Sequence, residues 1–275
     1  MKTIAIISAQ GGVGKSTVAA NLGIALAQRN KKVLVIDMDP QNSQRLHLGL
    51  DAQQIAGLAR EGIGAQSIFD SPFGAHAQTP SGPVSRPANE DDQSSGLHFI
   101  PFGRISNAEL DEFQMELAQN SDWLAHNIAA LGGLHFDFVI IDTPPGPSVY
   151  LEQALYAATI ASLVILPDAA SYLGLPKFQQ LVSNLTQHRD SFKGAHKLIN
   201  QMPINNRLAH EVRAALFGDR AKHASANVPL CIHYDMNAMQ ALAQETPLLE
   251  YQPATIASLD FQYLADWFVD TLDLA

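Results

Sequence analysis

The chain has 275 residues, 47% of them hydrophobic, enough to bury the core of one large α/β domain. Its 27 Asp and Glu outnumber 17 Lys and Arg, a net charge of −10 that argues against unspecific DNA binding, which rests on cations neutralising phosphates. No apolar run reaches the roughly 18 residues of a membrane span, and the one cysteine, Cys231, excludes an internal disulfide. A lone thiol also excludes an iron–sulfur cluster held by two cysteines from each of two subunits, and Cys231 reads as a small core residue. Met1-Lys2 leads straight into an apolar strand with no secretory signal pattern, so the cytoplasm is the expected compartment, with no direct membrane insertion.

The run Thr3–Ser8 predicts a buried strand. The loop Ala9-Gln10-Gly11-Gly12-Val13-Gly14-Lys15-Ser16-Thr17 follows it, and the spacing of Val18, Leu22 and Leu26 predicts a helix over Lys15–Arg29. Strand, glycine loop and helix in that order form the setting of a phosphate cradle. Gly11, Gly12 and Gly14 let backbone N–H groups converge on phosphate oxygens without Cβ interference. Lys15 would reach the β- and γ-phosphates, and the Ser16 hydroxyl would take a Mg²⁺ position. The plainer reading, a glycine-rich turn with an exposed lysine, loses ground because two further motifs follow.

The first is Val33–Asp37, a buried strand that ends in Asp37-Met38-Asp39-Pro40-Gln41. Open α/β sheets bind ligands at the carboxyl ends of their strands. Alternation would put Asp37 and Asp39 on one side if the strand persists, although Pro40 marks a turn. Next, Gly74 to Gly96 is rich in proline and acid (Pro80, Pro83, Pro87, Glu90-Asp91-Asp92) and reads as a flexible insertion within a single domain. Strands are then expected at Leu97–Phe102, Phe138–Asp142, Leu163–Pro167, Lys197–Asn200 and Pro229–Ile232. Helices are expected at Asn107–Leu131, Val149–Ala158, Leu175–His188, Ala209–Leu216 and Ile256–Leu272. This alternation predicts a mostly parallel, doubly wound sheet. The second motif, Phe138–Gly146, carries four apolar residues into Asp142, whose carboxylate suits Mg²⁺ held directly or through water.

The glycine loop resembles the deviant Walker A motif of the ParA/MinD ATPases, Lys-Gly-Gly-x-Gly-Lys-Ser/Thr, Asp37–Gln41 and Thr143–Gly146 resemble that family's two switches, and Phe138–Asp142 resembles a Walker B strand. The resemblance implies a P-loop NTPase fold of the SIMIBI type, ATP and Mg²⁺ as cofactors, and a homodimer formed on ATP binding. It places Gln10, Gly11, Gly12, Val13, Gly14, Lys15, Ser16 and Thr17 in the nucleotide cradle, with Lys15 and Asp39 catalytic. Asp39 would orient the attacking water, and Ser16, Asp37 and Asp142 would surround Mg²⁺. Two positions depart from the pattern. Ala9 stands where the general P-loop has its first glycine, and Gln10 where the family has a signature lysine that crosses to the partner's nucleotide. Glutamine can hydrogen-bond a phosphate oxygen but brings no charge, so slow hydrolysis is expected. Asn200 stands where the family often contacts adenine; an asparagine serving only a strand-to-loop turn fits as well. No Asn/Thr-Lys-x-Asp guanine-reading motif occurs, which favours ATP.

Within the family, Leu97–Ser106, His196–Asn200 and the segment from Val228 through Tyr251 to the final helix resemble the cellulose-associated BcsQ (YhjQ) group. That resemblance implies an accessory ATPase acting on cellulose synthase complex subunits or small accessory proteins. The alternative is a partition or positioning ATPase cycling on nucleoid or membrane. No Lys or Arg follows Lys222, and the last helix carries only acidic charges, so both of those surfaces fit poorly. Its aromatic face is expected to pack on the sheet.

Overall fold

The computed structural model describes residues 1–49, 57–61, 69–70, 96–218 and 231–273. Its strands are β1 (Lys2–Ile7), β2 (Lys32–Asp37), β3 (Phe69–Asp70), β4 (Gly96–Ile100), β5 (Phe138–Asp142), β6 (Ile160–Ile165), β7 (Ala195–Met202) and β8 (Cys231–His233). They form one sheet in the order β3-β4-β2-β5-β1-β6-β7-β8, parallel throughout except for the short edge strand β3, which sequence reading missed. The insertion expected at 74–96 lies outside the described residues except for Gly96, which opens β4.

Strand side chains alternate between two cores. Ile4, Ile6, Val33, Val35, Phe138 and Ile140 face one, while Ala5, Ile7, Leu34, Ile36, Val139 and Ile141 face the other. Helix α1 (Lys15–Ala27), the short α2 (Gln44–His47) and α3 (Leu58–Glu61) come early in the chain. Residues Lys15 and Val18 to Ala27 of α1 are buried. Burial on nearly every side explains why α1 shows only a faint apolar stripe in sequence.

The single helix expected over Asn107–Leu131 is two, α4 (Asn107–Gln119) and α5 (Trp123–Ala130). The break is filled by the buried Gln153 of α6 (Val149–Ala157). Its amide nitrogen donates to the carbonyls of Leu117 (2.9 Å) and Asn120 (2.6 Å), and its oxygen accepts from the Leu124 N–H (2.9 Å). One side chain thereby satisfies groups freed at both helix ends.

Helix α7 (Ala169–Thr186) starts six residues before the expected Leu175, because Asp168 caps it by accepting from the Ser171 N–H at 2.7 Å. Pro176 therefore lies inside the helix, where the cap and the burial of Leu175, Phe178 and Val182 offset a cost of about 3 kcal/mol. The remaining helices are α8 (Arg207–Phe217), α9 (Asn237–Ala243), α10 (Leu248–Tyr251) and α11 (Ile256–Asp273).

Helix α11 does bury an aromatic face: Phe261, Leu264 and Phe268 join the core containing α1. Arg29, just past α1, binds Asp266, the Gln262 side chain and, at 2.7 Å, the Gln262 carbonyl, so part of the acidic terminus is neutralised within the molecule. Cys231 is half-buried rather than a core residue, because β8 is an edge strand. No helix among the described residues is long and apolar enough to cross a membrane.

Candidate nucleotide site

Strand β1 lies between β5 and β6; the connection after β1 runs to β2 on one side of it, while the connections after β5 and β6 run to the other half of the sheet. This reversal opens a crevice at the strands' carboxyl ends, where doubly wound folds bind ligands. The loop after β1 turns there through two left-handed glycines, Gly12 (φ 74°) and Gly14 (φ 86°), and Gly11 and Gly12 are exposed. Gly14 is the N-cap of α1 and carries no side-chain cap, so the first N–H groups of the helix are left for an anion.

The segments after β5 and β2 are tied to β1, to the start of its loop and to each other. The Gly146 N–H donates to the Ser8 carbonyl (2.9 Å), and the Thr143 hydroxyl to the Ile6 carbonyl (2.8 Å). From β2, the Met38 N–H donates to the Asp142 carbonyl at 2.9 Å. Residues 8–16, 37–44 and 142–146 thus converge, as the sequence motifs predict.

The carboxylates divide in a way their spacing does not reveal. Both Asp37 oxygens accept backbone N–H groups, from Asp39 (2.9 Å) and Gln44 (3.3 Å), so Asp37 braces the loop after β2. The strand ends at Asp37, and Asp39 lies in the turn, where it accepts from the Gln41 N–H at 2.9 Å. Asp142 is fully buried, and its Oδ1 has no hydrogen-bond partner. Burial pushes its carboxyl up to about 7, against the Ser16 hydrogen bond and the Lys15 charge, which pull it down. Burial also lifts Asp37 well above the usual carboxylate range, helped by Asp142. Lys15 is buried too; burial lowers its pKa, and the charges of Asp142 and Asp39 partly restore it.

An orphaned, fully buried carboxylate oxygen beside the Ser16 hydroxyl fits a hard divalent cation, which would hold Asp142 ionised. Sequence reading missed Gln44, also fully buried. With its amide nitrogen turned inward it donates to Asp142 Oδ2 (3.2 Å) and the Ser16 carbonyl (2.9 Å), while its oxygen accepts from the Ala20 N–H (3.1 Å). It also missed Ser43, whose hydroxyl lies 3.3 Å from that of Ser16. Neither carries a motif signal, since the partners are remote in sequence.

The chain matches the family described as cellulose biosynthesis protein BcsQ over residues 1–269. It belongs to the BcsQ family. The BcsQ protein of Escherichia coli K12 is 24% identical to it over 97% of this chain and 94% of that protein. A ParA family protein of Chlamydia trachomatis is 28% identical over 97% of this chain and 96% of that one. Among solved structures, the septum site-determining protein MinD of Pyrococcus horikoshii, complexed with Mg-ADP, superimposes with a TM-score of 0.69 at 22% identity, covering 99% of this chain and 97% of that one. The fold is that of the MinD/ParA P-loop proteins, as the motifs predict.

In this BcsQ-family chain the half-buried Gln10 has its carbonyl bound by the Ser8 hydroxyl (2.7 Å), and its side-chain oxygen accepts from the Ser171 hydroxyl at 3.2 Å. Asn200 is buried against the glycine loop, its amide nitrogen donating to the Val13 carbonyl at 2.8 Å. A Cβ on Gly14 would lie 2.3 Å from that nitrogen, so the contact requires glycine there. Asn200 is therefore part of the loop's support.

Proposed function

We propose that this chain is a slowly hydrolysing ATPase that dimerises on binding Mg·ATP and, in that state, supports assembly or positioning of the bacterial cellulose synthase and secretion complex. The observation that carries the reading is the meeting of the glycine loop, Asp39 and Asp142 in one crevice of a chain that belongs, over nearly its whole length, to the BcsQ family. Backbone N–H groups and Lys15 bind the phosphates, and Ser16 and Asp142 hold Mg²⁺, which neutralises phosphate charge when bound. Asp37 keeps the loop bearing Asp39 in place, and Asp39 orients the attacking water. The hydrogen bonds from Thr143 and Gly146 to β1 and its loop link a γ-phosphate contact to the start of α6. Asn200 accepts from the adenine amine. Recruitment to the inner membrane runs through protein partners.

Similarity to the chlamydial ParA family protein supports a second reading, a partition or positioning ATPase cycling on nucleoid or membrane. Against it stands the absence of any Lys or Arg after Lys222.

Copurification from the native cells, with and without non-hydrolysable ATP, separates the two. Capture of cellulose synthase subunits that depends on ATP and is lost in Lys15→Ala is the expected result. Capture of DNA-bound or lipid-bound positioning partners instead would favour the second reading. Calorimetry should show Lys15→Ala binding ATP about 10- to 150-fold more weakly, as for a lost charge-assisted phosphate contact. Unchanged affinity would defeat both readings.

A further inference from the structure

The hydrogen bond from Ser171 to Gln10 joins residues 161 positions apart. Ser171 lies in the first turn of α7 and is 6% exposed. Its Oγ accepts from the Leu166 N–H at 3.3 Å, so its single hydroxyl hydrogen is left for the side-chain oxygen of Gln10. Its own N–H is held by Asp168 at 2.7 Å, which fixes the turn on which the hydroxyl stands. The Gln10 backbone is held as well, through Ser8. With its oxygen engaged, the end of the Gln10 amide left for a ligand is the –NH₂ group, a donor, which suits a phosphate oxygen.

We propose that Ser171 is a positioning residue that orients the Gln10 amide as a phosphate donor for the nucleotide of its own chain, and that Gln10 does not serve a partner's nucleotide. The pair is chemically matched. A lysine at position 10 has no acceptor for the Ser171 hydrogen, and an alanine at 171 leaves the glutamine amide free to turn either end toward an anion. Both anchors of Gln10, Ser8 on its backbone carbonyl and Ser171 on its side-chain oxygen, belong to its own subunit, and the Ser171 bond would have to be released for the side chain to cross an interface. The proposal rests on the nucleotide-binding reading above and deepens it by assigning the direction in which position 10 acts.

The test measures the affinity of the dilute chain, shown by light scattering to be monomeric, for Mg·ATPγS. Gln10→Ala and Ser171→Ala should each weaken binding by about 5-fold, the scale of one neutral hydrogen bond. The double variant should be no weaker than either single one, and Ser171→Thr, which keeps the hydroxyl, should bind like the wild type. Melting temperatures without nucleotide report any loss of fold separately. Excess Lys15→Ala chain, which retains Gln10 but binds nucleotide poorly, should not restore the affinity of the Gln10→Ala chain. Restoration would show action across an interface and overturn the proposal. Unchanged affinity in both single variants, or strictly additive losses, would overturn it too. A wild-type chain that binds no ATPγS would instead defeat the nucleotide-binding reading itself.

Discussion

Gln10 puts a dipole at the mouth of the phosphate loop where related ATPases have a charge, and the consequence falls on rate more than on binding. A cation supplied near the transferring γ-phosphate as an arginine finger is worth about 10³–10⁵ in turnover. Gln10→Lys would bring one back and release the side chain from Ser171, which can no longer donate to it. Single-turnover hydrolysis should rise at least tenfold, by about 1.4 kcal/mol of barrier, with ATP affinity held or tightened. A rate left unchanged would show that position 10 is not what limits hydrolysis. The meeting of Lys15, Ser16 and Asp142 was legible because glycine spacing, an apolar strand and a terminal carboxylate are local patterns. The brace made by Asp37, the amide of Gln44 and the hold of Ser171 on Gln10 were not, since each depends on partners brought together by the fold.

At the level of elements, sequence periodicity found most strands but erred wherever a buried polar side chain replaced a turn signal. The α4–α5 break has no glycine or proline; Gln153, from a third helix, makes it stable. Gly23 is the converse case, a glycine in mid-helix that looks like a weakness. A Cβ there would meet Leu97 Cδ1 at 3.0 Å and Val35 Cγ2 at 3.1 Å, so α1 needs the missing side chain to lie close on the sheet. Gly23→Ala should destabilise the chain by about 1–3 kcal/mol through overpacking, despite alanine's better helix propensity. A raised denaturant midpoint would refute this.

Helix α2, next to the Asp39 loop, carries a pH dependence. Burial pulls His47 from 6.5 down to about 4, so the unfolded chain takes up its proton first as pH falls. Its contribution is intact above about pH 6.5 and is lost as pH falls from there toward 4. The loss attributable to this residue between pH 7 and pH 5 should be about 2 kcal/mol, measured as the part of the acid destabilisation that His47→Leu removes.

Over the whole molecule, the strand order decides what the motifs can do. Residues 8–16, 37–44 and 142–146 are adjacent only because β2, β5 and β1 are neighbours, with β1 at the point where the connections reverse. Alternation predicted the parallel doubly wound sheet, while the order had to come from the fold. The site lies at one end of the sheet, with Gly11 and Gly12 exposed and the loop of Gly146 bonded directly to Ser8, just past β1. Two such ends facing each other would bury both phosphate loops in an isologous contact, the arrangement the proposed ATP-driven dimer requires. Asp39→Ala tests it with little disturbance. The carboxylate that would orient water is removed, while Lys15, Ser16 and the glycine backbone stay intact, and Asp37 still braces the loop through the Asp39 N–H. Light scattering on this variant with Mg·ATP should show a species of twice the 29.7 kDa chain mass that outlasts the wild-type dimer. Only monomer across high ATP and protein concentrations would remove the dimer from the mechanism. The same dimer without nucleotide would leave the contact standing but take from ATP its role as the switch.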